Sequence, residues 1–144
     1  MAKRVQVVFD CLDPARLSRF WAEALGYRLS PPPEGFGSWE EALTAWGVPR
    51  EEWNSASAVE DPEGAGPRIY FQRVETPKRE KNRVHLDVDA SGGTGTPAEE
   101  RWPRIQAEVE RLRALGAVSM REGEQLGVRW VVMQDPEGNE FCVH

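Results

Sequence analysis

One six-residue pattern occurs twice in the chain, and the second copy lies 79 residues after the first. The copies are Val5-Gln6-Val7-Val8-Phe9-Asp10 and Val84-His85-Leu86-Asp87-Val88-Asp89. Apolar and polar side chains alternate in the second copy, which predicts a β-strand that buries one face and exposes the other. Gln6 takes the place of His85 in the first copy. The repeat therefore predicts two related halves, each beginning with such a strand.

The elements predicted after each copy of the pattern follow the same order. Asp13 and Pro14 predict the start of a helix that Gly26 ends. In the second half Thr96 and Glu99 fit a capping box, but we favour Pro103 as the start of the long helix, because an interior proline costs about 3 kcal/mol, and Gly116 as its end. The predicted strands cover 4–10, 27–30, 55–60 and 68–74 in the first half and 84–89, 118–121, 128–134 and 139–144 in the second.

The same four-residue turn, Asp-Pro-Glu-Gly, joins the last two strands of each half, at 61–64 and at 135–138. The order β-α-β-β-β therefore occurs twice. This duplication predicts an α+β fold in which two βαβββ modules form a curled mixed sheet with a concave cup, with the helices on the convex side. A length of 144 residues fits a single domain, 1–144, with module one at 1–76 and module two at 82–144.

Composition excludes several classes of partner. The net charge of −6 argues against nucleic acid and against anionic membrane surfaces. The chain has two cysteines, Cys11 and Cys142, and its N-terminus runs into a strand that is too short for a signal peptide or a membrane span. We therefore expect a cytoplasmic protein.

The segment from 34 to 54 is irregular and rich in tryptophan. Trp39, Trp46 and Trp53 are spaced by seven residues, but Gly47 and Pro49 interrupt the pattern and predict two short helical pieces. One interpretation is an excursion that buried indole rings pin to the domain. The other is an aromatic lid over a binding cup. The first is favoured, because indoles commonly dominate packing.

Strand alternation selects the residues that line the cup. It places Gln6, Tyr70, His85 and Cys142 near the middles of the faces opposite the apolar ones, with Gln72, Asp87 and His144 two residues along and Glu140 nearer the turn. By the same rule, Val5, Ile69, Val84 and Phe141 should point into helix packing. An error of one residue in register would reverse both sets together.

Three separated motifs resemble the vicinal oxygen chelate superfamily, which includes glyoxalases, bleomycin-resistance proteins and extradiol dioxygenases. The motifs are Leu12-Asp13-Pro14 with Phe20-Trp21 and Leu25-Gly26-Tyr27, then Val84-His85-Leu86-Asp87, then Asp135-Pro136-Glu137-Gly138-Asn139. The chain looks most similar to the glyoxalase-like branch. In glyoxalase-type members, the resemblance implies a divalent metal held by His or Gln on strand one, Glu on strand four, His on strand five and Glu on strand eight.

Only half of that implied ligand set is present. Gln6 and His85 match the first and fifth strands, but Tyr70 and Cys142 stand where the two glutamates are expected. Hard and borderline cations prefer carboxylate ligands, so no metal ligand is assigned and no tightly bound divalent ion is expected. A divalent ion held through Gln6 and His85 stays open, and a Cys142 thiolate would favour Zn²⁺. His85 has a simpler interpretation as a lining residue that contacts Asp87 or water.

Three functions follow from these observations. The favoured one is a glyoxalase-like protein that binds a small organic molecule in a polar, aromatic-rimmed cup without an intact metal site. The alternative is a metal-dependent lyase, isomerase or dioxygenase that uses Gln6 and His85 as ligands. The third is a module that associates with another protein, for which only the Trp-rich segment speaks.

The sequence names binding residues but no catalytic one. The predicted substrate-binding residues are Gln6, Tyr70, Gln72, His85, Asp87, Cys142, Trp39 and Trp46. The basic run Lys78, Arg79, Lys81 and Arg83 has two interpretations, contact with an anionic ligand or solvated surface. The resemblance also allows a homodimer, since members build the cup within one chain or across two.

Overall fold

Each half of the chain folds into a four-stranded mixed sheet with a helix packed on one face. The computed structural model describes all residues, 1–144. It contains two compact units, residues 1–77 and 78–144. No helix combines the length and the apolar character that a membrane span requires. The predicted α+β class is confirmed.

The first unit begins with strand β1, Val7–Cys11, and helix α1, Pro14–Leu25. The elements that follow are β2 Arg28–Leu29, α2 Trp39–Ala45, a 3-10 helix Arg50–Ser55, β3 Ala56–Glu60 and β4 Ile69–Arg73. The strand order is β1-β4-β3-β2, with β1 parallel to β4 and the other pairs antiparallel.

The second unit repeats this topology. Its elements are β5 Asp87–Val88, a 3-10 helix Gly93–Gly95, α3 Ala98–Ala114, β6 Val118–Gln125, β7 Val128–Gln134 and β8 Glu140–Val143. The order β5-β8-β7-β6 again has one parallel pair, β5 with β8. Val8 lies opposite Tyr70 in the first unit, as Asp87 lies opposite Cys142 in the second. The predicted duplication is confirmed at the level of strand register.

Helix α1 shows how local sequence fixes the core. The Asp13 carboxylate accepts a hydrogen bond from the Arg16 N–H at 3.1 Å and caps the helix, and Gly26 ends it with φ 66°. The buried face of the helix, including Leu17 and Trp21, packs on β3 and β4. The Phe9 ring lies 5.4 Å from that of Trp21, so β1 joins the same core.

Two residues predicted to be buried are exposed. Val5 is 72% exposed and Val84 is 83% exposed, whereas Ile69 and Phe141 are buried as predicted. The reason is that β1 begins to pair only at Val7 and β5 only at Asp87. Residues before those positions have no neighbouring strand to hold them against a helix.

The predicted start of α3 at Pro103 is wrong, because the helix begins at Ala98 and contains the proline. Glu99 and Glu100 in the first turn suit the positive end of the helix dipole. The Arg101 guanidinium donates to the Thr96 carbonyl at 2.8 Å and ties the start of the helix to the preceding loop. We infer that these local contacts offset the hydrogen bond that the proline cannot make.

The Trp-rich segment forms the two short helical pieces that the sequence predicts, but its rings are not all buried. Ser38 caps α2 by accepting from the Glu41 N–H at 3.1 Å. The Trp39 indole donates to the Ser30 carbonyl at 2.8 Å and so pins α2 to the end of β2. Trp39 is 42% exposed and Trp46 53% exposed, so pinning works through a hydrogen bond rather than through burial of these rings.

We predict that Asp13→Ala destabilises the first unit by about 1 kcal/mol at neutral pH, since it removes the helix cap. Hydrogen bonds from the Asn54 amide and then the Arg16 N–H lower the pKa of Asp13 below 3.8. Stability from the ionised carboxylate is therefore full above pH 3.8 and is lost as the pH falls through the folded-state pKa. Urea unfolding between pH 2 and 7 measures both effects.

Asp13→Asn is the matched control, because asparagine also caps helices but does not titrate. We expect its deficit against wild type to shrink as the pH falls below 3.8. A deficit that stays constant with pH would contradict the electrostatic part of this prediction.

Candidate functional site

The polar face of the first sheet carries Gln6, Tyr70 and Gln72, but Arg68 dominates it. The Arg68 guanidinium donates to the Gln6 side-chain oxygen at 2.7 Å and lies 5.6 Å from the centre of the Tyr70 ring. Gln6 and Gln72 are exposed, and Tyr70 is half-buried. A cation therefore lies beside the residues that the sequence proposed as ligand contacts in this unit.

The matching face of the second sheet brings together His85, Asp87 and Cys142. The His85 Nε2 atom lies 3.3 Å from the Asp87 carboxylate. One potential ligand atom from each of the three residues lies within 4.8 Å of the others. Three of the eight predicted site residues thus form one cluster, which we call the His85–Asp87–Cys142 cluster.

Strand register explains how this cluster extends across the whole sheet. Asp87 of β5 pairs with Cys142 of β8, Cys142 with Val132 of β7, and Val132 with Arg121 of β6. The register of β6 shifts at Met120, and this bulge places Arg121 opposite Val132 rather than opposite the buried Val131, where an unshifted ladder from the Ser119–Met133 pair would put it.

A pocket of about 420 Å³ lies over this row. Its lining combines an apolar wall with cationic and acidic side chains: Val128, Trp130, Val132, Phe141, Cys142, His85, His144, Lys81, Arg121, Asp87 and Glu140. All of these belong to the second unit. The volume is in the range of sites that hold small organic molecules.

Trp130 forms one wall of the pocket, and Gly123 allows it to do so. The two residues pair across β6 and β7. A Cβ atom at Gly123 would overlap the indole ring of Trp130. The missing side chain therefore lets the ring lie against the backbone of β6.

Glu140 lines the pocket but is already occupied. Its carboxylate contacts the Lys78 ammonium at 3.0 Å and accepts from the Asn82 N–H at 3.0 Å. Burial raises the pKa of Glu140, but these hydrogen bonds and the Lys78 charge outweigh it and bring the pKa down to about 2. The group is an ionised anchor for the segment before β5 and is not poised to exchange protons near neutral pH.

Cys142 is a half-buried thiol rather than an activated thiolate. Burial raises the pKa of Cys142, and the charge of Asp87 and a hydrogen bond to it raise the pKa further. Arg121 and Lys81 act weakly in the opposite direction. Nucleophilic cysteines need a lowered pKa, so the arrangement does not favour covalent chemistry at this residue.

Sequence reasoning missed Trp130 and Arg121 as site residues. Strand β7 is apolar on both faces, with Val131 and Met133 buried and Val128, Trp130 and Val132 on the pocket side. That double apolar pattern is a readable signal that the outer face of β7 also forms an apolar surface, which here lines the pocket. The sequence gives no such indication for Arg121, because the bulge at Met120 decides whether its side chain faces the pocket.

The metal ligand set implied by the sequence resemblance does not fit the first unit. The Gln6 oxygen, which would bind the ion, already accepts a hydrogen bond from the Arg68 guanidinium. Tyr70 supplies no carboxylate, and a fixed positive charge beside it opposes a dication. A glyoxalase-type centre for a hard cation therefore has no suitable ligands here.

Comparisons with solved structures show the same fold at low sequence identity. A FosX fosfomycin resistance protein variant from Listeria monocytogenes, complexed with Mn(II) and 1S,2S-dihydroxypropylphosphonic acid, is 14% identical with TM-score 0.62, covering 100% of this chain and 90% of that one. A glyoxalase/bleomycin resistance protein/dioxygenase family enzyme from Burkholderia phytofirmans is 15% identical with TM-score 0.61, covering 96% and 94%. The hypothetical protein SA1046 from S. aureus is 12% identical with TM-score 0.61, covering 99% and 93%.

No curated protein sequence matches the chain significantly. The model of one protein family, described as the glyoxalase-like domain, matches residues 6–144. That match covers nearly the whole chain and agrees with the duplicated βαβββ topology and with the solved structures. The chain therefore belongs to the glyoxalase-like family.

Proposed function

We propose that this protein binds a small organic anion with an apolar body in the pocket of the second unit, without a glyoxalase-type metal centre. The observation that carries the proposal is the pairing of an apolar wall with two unpaired cations in one pocket of about 420 Å³. Pockets for small molecules combine apolar walls with a few placed polar groups in this way.

The apolar wall sets what the ligand's body must be. Trp130 and Val132 lie side by side on the pocket face of β7, and Val128 extends the wall outward. An indole face offers a large area that loses little conformational freedom when it is covered. A ring or a short branched chain fits this surface.

The cations set the charge of the ligand. Lys81 and Arg121 line the pocket and form no ion pair within the protein. By contrast, Arg129 on the same sheet stacks on Trp102 at 3.4 Å and contacts Glu122. The two unpaired cations suit a carboxylate, phosphonate or phosphate group, because arginine and lysine are the usual partners of such anions.

The acidic residues of the pocket leave room for an anion. Glu140 is neutralised by Lys78. Asp87 contacts His85 and the Cys142 thiol at the β5 end of the row, whereas Arg121 lies on β6 at the opposite end. The cysteines form no disulfide, which suits the cytoplasmic location predicted from the sequence.

A metal-dependent lyase, isomerase or dioxygenase using Gln6 and His85 is the second candidate. This second candidate is favoured only because a FosX protein of the same fold is complexed with Mn(II). The Arg68–Gln6 hydrogen bond opposes it.

We expect added Mn²⁺ to remain free in solution, as measured by its electron paramagnetic resonance signal. Stoichiometric Mn²⁺ binding that Gln6→Ala and His85→Ala both abolish would instead establish the second candidate.

We predict that anilinonaphthalene sulfonate, an aromatic anion, binds the pocket and fluoresces. Arg121→Ala and Trp130→Ala should each weaken its binding at least about tenfold, since each removes an interaction worth about 1.5 kcal/mol. Titration of the dye at constant ionic strength measures this.

Two matched variants separate pocket binding from general dye adsorption. Arg113→Ala removes an exposed arginine of α3, and Trp46→Ala removes an exposed indole of the first unit that the sequence predicted as substrate-binding but that does not line this pocket. Both should bind the dye as wild type does. Equal losses in the control and pocket variants would overturn the proposal.

We also predict that Gly123→Val displaces the Trp130 ring and weakens dye binding, because the new side chain occupies the space of the indole. The Trp130 indole N–H signal, assigned with Trp130→Phe, should shift in the nitrogen–proton NMR spectrum. The Trp53 indole, which donates to the Val48 carbonyl at 2.9 Å, should keep its signal. An unchanged Trp130 signal would show that the ring does not depend on the glycine.

A further inference from the structure

Two tryptophan rings of the first unit are exposed in a segment that carries an excess of negative charge. We propose that Trp39 and Trp46, which we call the exposed tryptophan pair, form a binding site for an organic cation, an ammonium group that carries methyl or other alkyl substituents. Binding there is independent of the anion binding proposed above, because no residue of the first unit lines the pocket of the second.

Local structure holds both rings in place. Trp39 begins α2 and Trp46 follows its last residue, so the two lie about two turns apart on one side of the helix. The Trp39 indole N–H donates to the Ser30 carbonyl at 2.8 Å, and the ring centroid of Phe36 lies 5.7 Å from that of Trp46. Because neighbouring groups already fix the rings, a ligand that covers them costs little conformational freedom.

The two rings of the pair stand nearly at a right angle. Their planes are inclined by 73° and their centroids lie 6.5 Å apart. An ammonium group in the angle between two such rings would lie about 4.6 Å from each centroid, since these distances are the equal sides of a right-angled triangle, and cation–π attraction acts within roughly 6 Å. Both side chains are about half exposed, so solvent and solutes reach them.

Two other tryptophans of the chain already have a cation over the ring. The Arg50 guanidinium lies 5.2 Å from the centre of the Trp53 ring, and the Arg129 guanidinium lies 3.4 Å from that of Trp102. No arginine or lysine of the chain lies over either ring of the exposed tryptophan pair. An external cation can therefore occupy at this pair the position that arginine occupies at the other two rings.

The charge of the surrounding segment favours a cation over an anion. Residues 34–53 contain five glutamates, one arginine and no lysine. The arginine is Arg50, which covers Trp53. Glu34 and Glu40 are exposed and form no ion pair within the protein. Their carboxylates add a Coulomb attraction for cations that salt weakens.

The aromatic rings select an alkylated ammonium group over an inorganic cation. Small inorganic cations require several oxygen ligands to replace their water, and indole rings offer none. The rings do contact methyl and methylene groups well, and their negative faces attract the charge that these groups surround. We therefore expect weak but selective binding of molecules with a trimethylammonium or similar head group.

Two molecules of the same shape separate the effect of charge from that of apolar contact. Choline carries a trimethylammonium group, and 3,3-dimethylbutan-1-ol carries a neutral tert-butyl group in its place. Each is titrated into the full chain at constant ionic strength while the two indole N–H signals, assigned with Trp39→Phe and Trp46→Phe, are followed by nitrogen–proton NMR. Choline should shift both signals to saturation and bind at least about fivefold more tightly than the alcohol, because each ring adds a cation–π attraction.

Trp46→Leu tests the ring itself, and Trp102→Leu is its matched control. The Trp46 indole forms no hydrogen bond within the protein, and the Trp102 ring is already covered by Arg129. Trp46→Leu should weaken choline binding at least about threefold and change binding of the alcohol less, since leucine keeps apolar contact but has no ring. Trp102→Leu should bind both molecules as wild type does. Circular dichroism shows whether each variant is folded.

Three results would overturn the site: equal affinity for choline and the alcohol, no shift of the two indole signals in wild type, or equal losses of choline binding in Trp46→Leu and Trp102→Leu. The comparison of choline with the alcohol uses only the wild-type protein, so it decides even where a variant does not fold. Dye binding measures the pocket of the other unit, so either proposal can fail while the other stands.

Discussion

Each unit depends on one parallel pairing between its first and last strands. That pairing joins the two ends of a βαβββ module, because β1 hydrogen-bonds to β4 and β5 to β8 while the other pairs are antiparallel. Parallel strands require a crossover connection, and the helix and hairpins of each module provide it. It also sets which residues meet on the open face, since Asp87 reaches Cys142 only in this register. Fold and candidate site are thus consequences of the same strand pair.

Much of the fold could be predicted from sequence because its signals are local. Asp13 and Gly26 mark the ends of α1, and the two Asp-Pro-Glu-Gly turns close with Gly64 and Gly138 at positive φ. Predictions of burial from sequence periodicity were wrong where pairing between strands decides whether a residue is buried. Val84 alternates correctly but is exposed, because β5 pairs over only two residues. Local propensity at Pro103 was likewise overridden by contacts around the start of α3.

The site was predictable only in part, for a physical reason. Alternation places His85, Asp87 and Cys142 on polar faces, but their proximity depends on register between strands more than 50 residues apart in sequence. The direction of Arg121 depends on a bulge that leaves no local sequence signal. A ligand count made from the four positions of the family resemblance also omits Asp87. That omission removes a negative charge, and charge is what decides whether a dication can be desolvated.

The two halves of the duplication have diverged in charge at equivalent places. In the register shared by the sheets, Arg68 of the first unit stands where Glu140 stands in the second, and Val8 stands where Asp87 stands. The Arg68 guanidinium donates to the Gln6 oxygen, and its charge makes that face more suitable for anions or neutral groups than for cations. In the second unit Glu140 pairs with Lys78 instead, and the anionic Asp87 shares the pocket with the unpaired cations Lys81 and Arg121. One topology thus carries two differently charged faces, of which the second combines an apolar wall with one anionic and two unpaired cationic side chains.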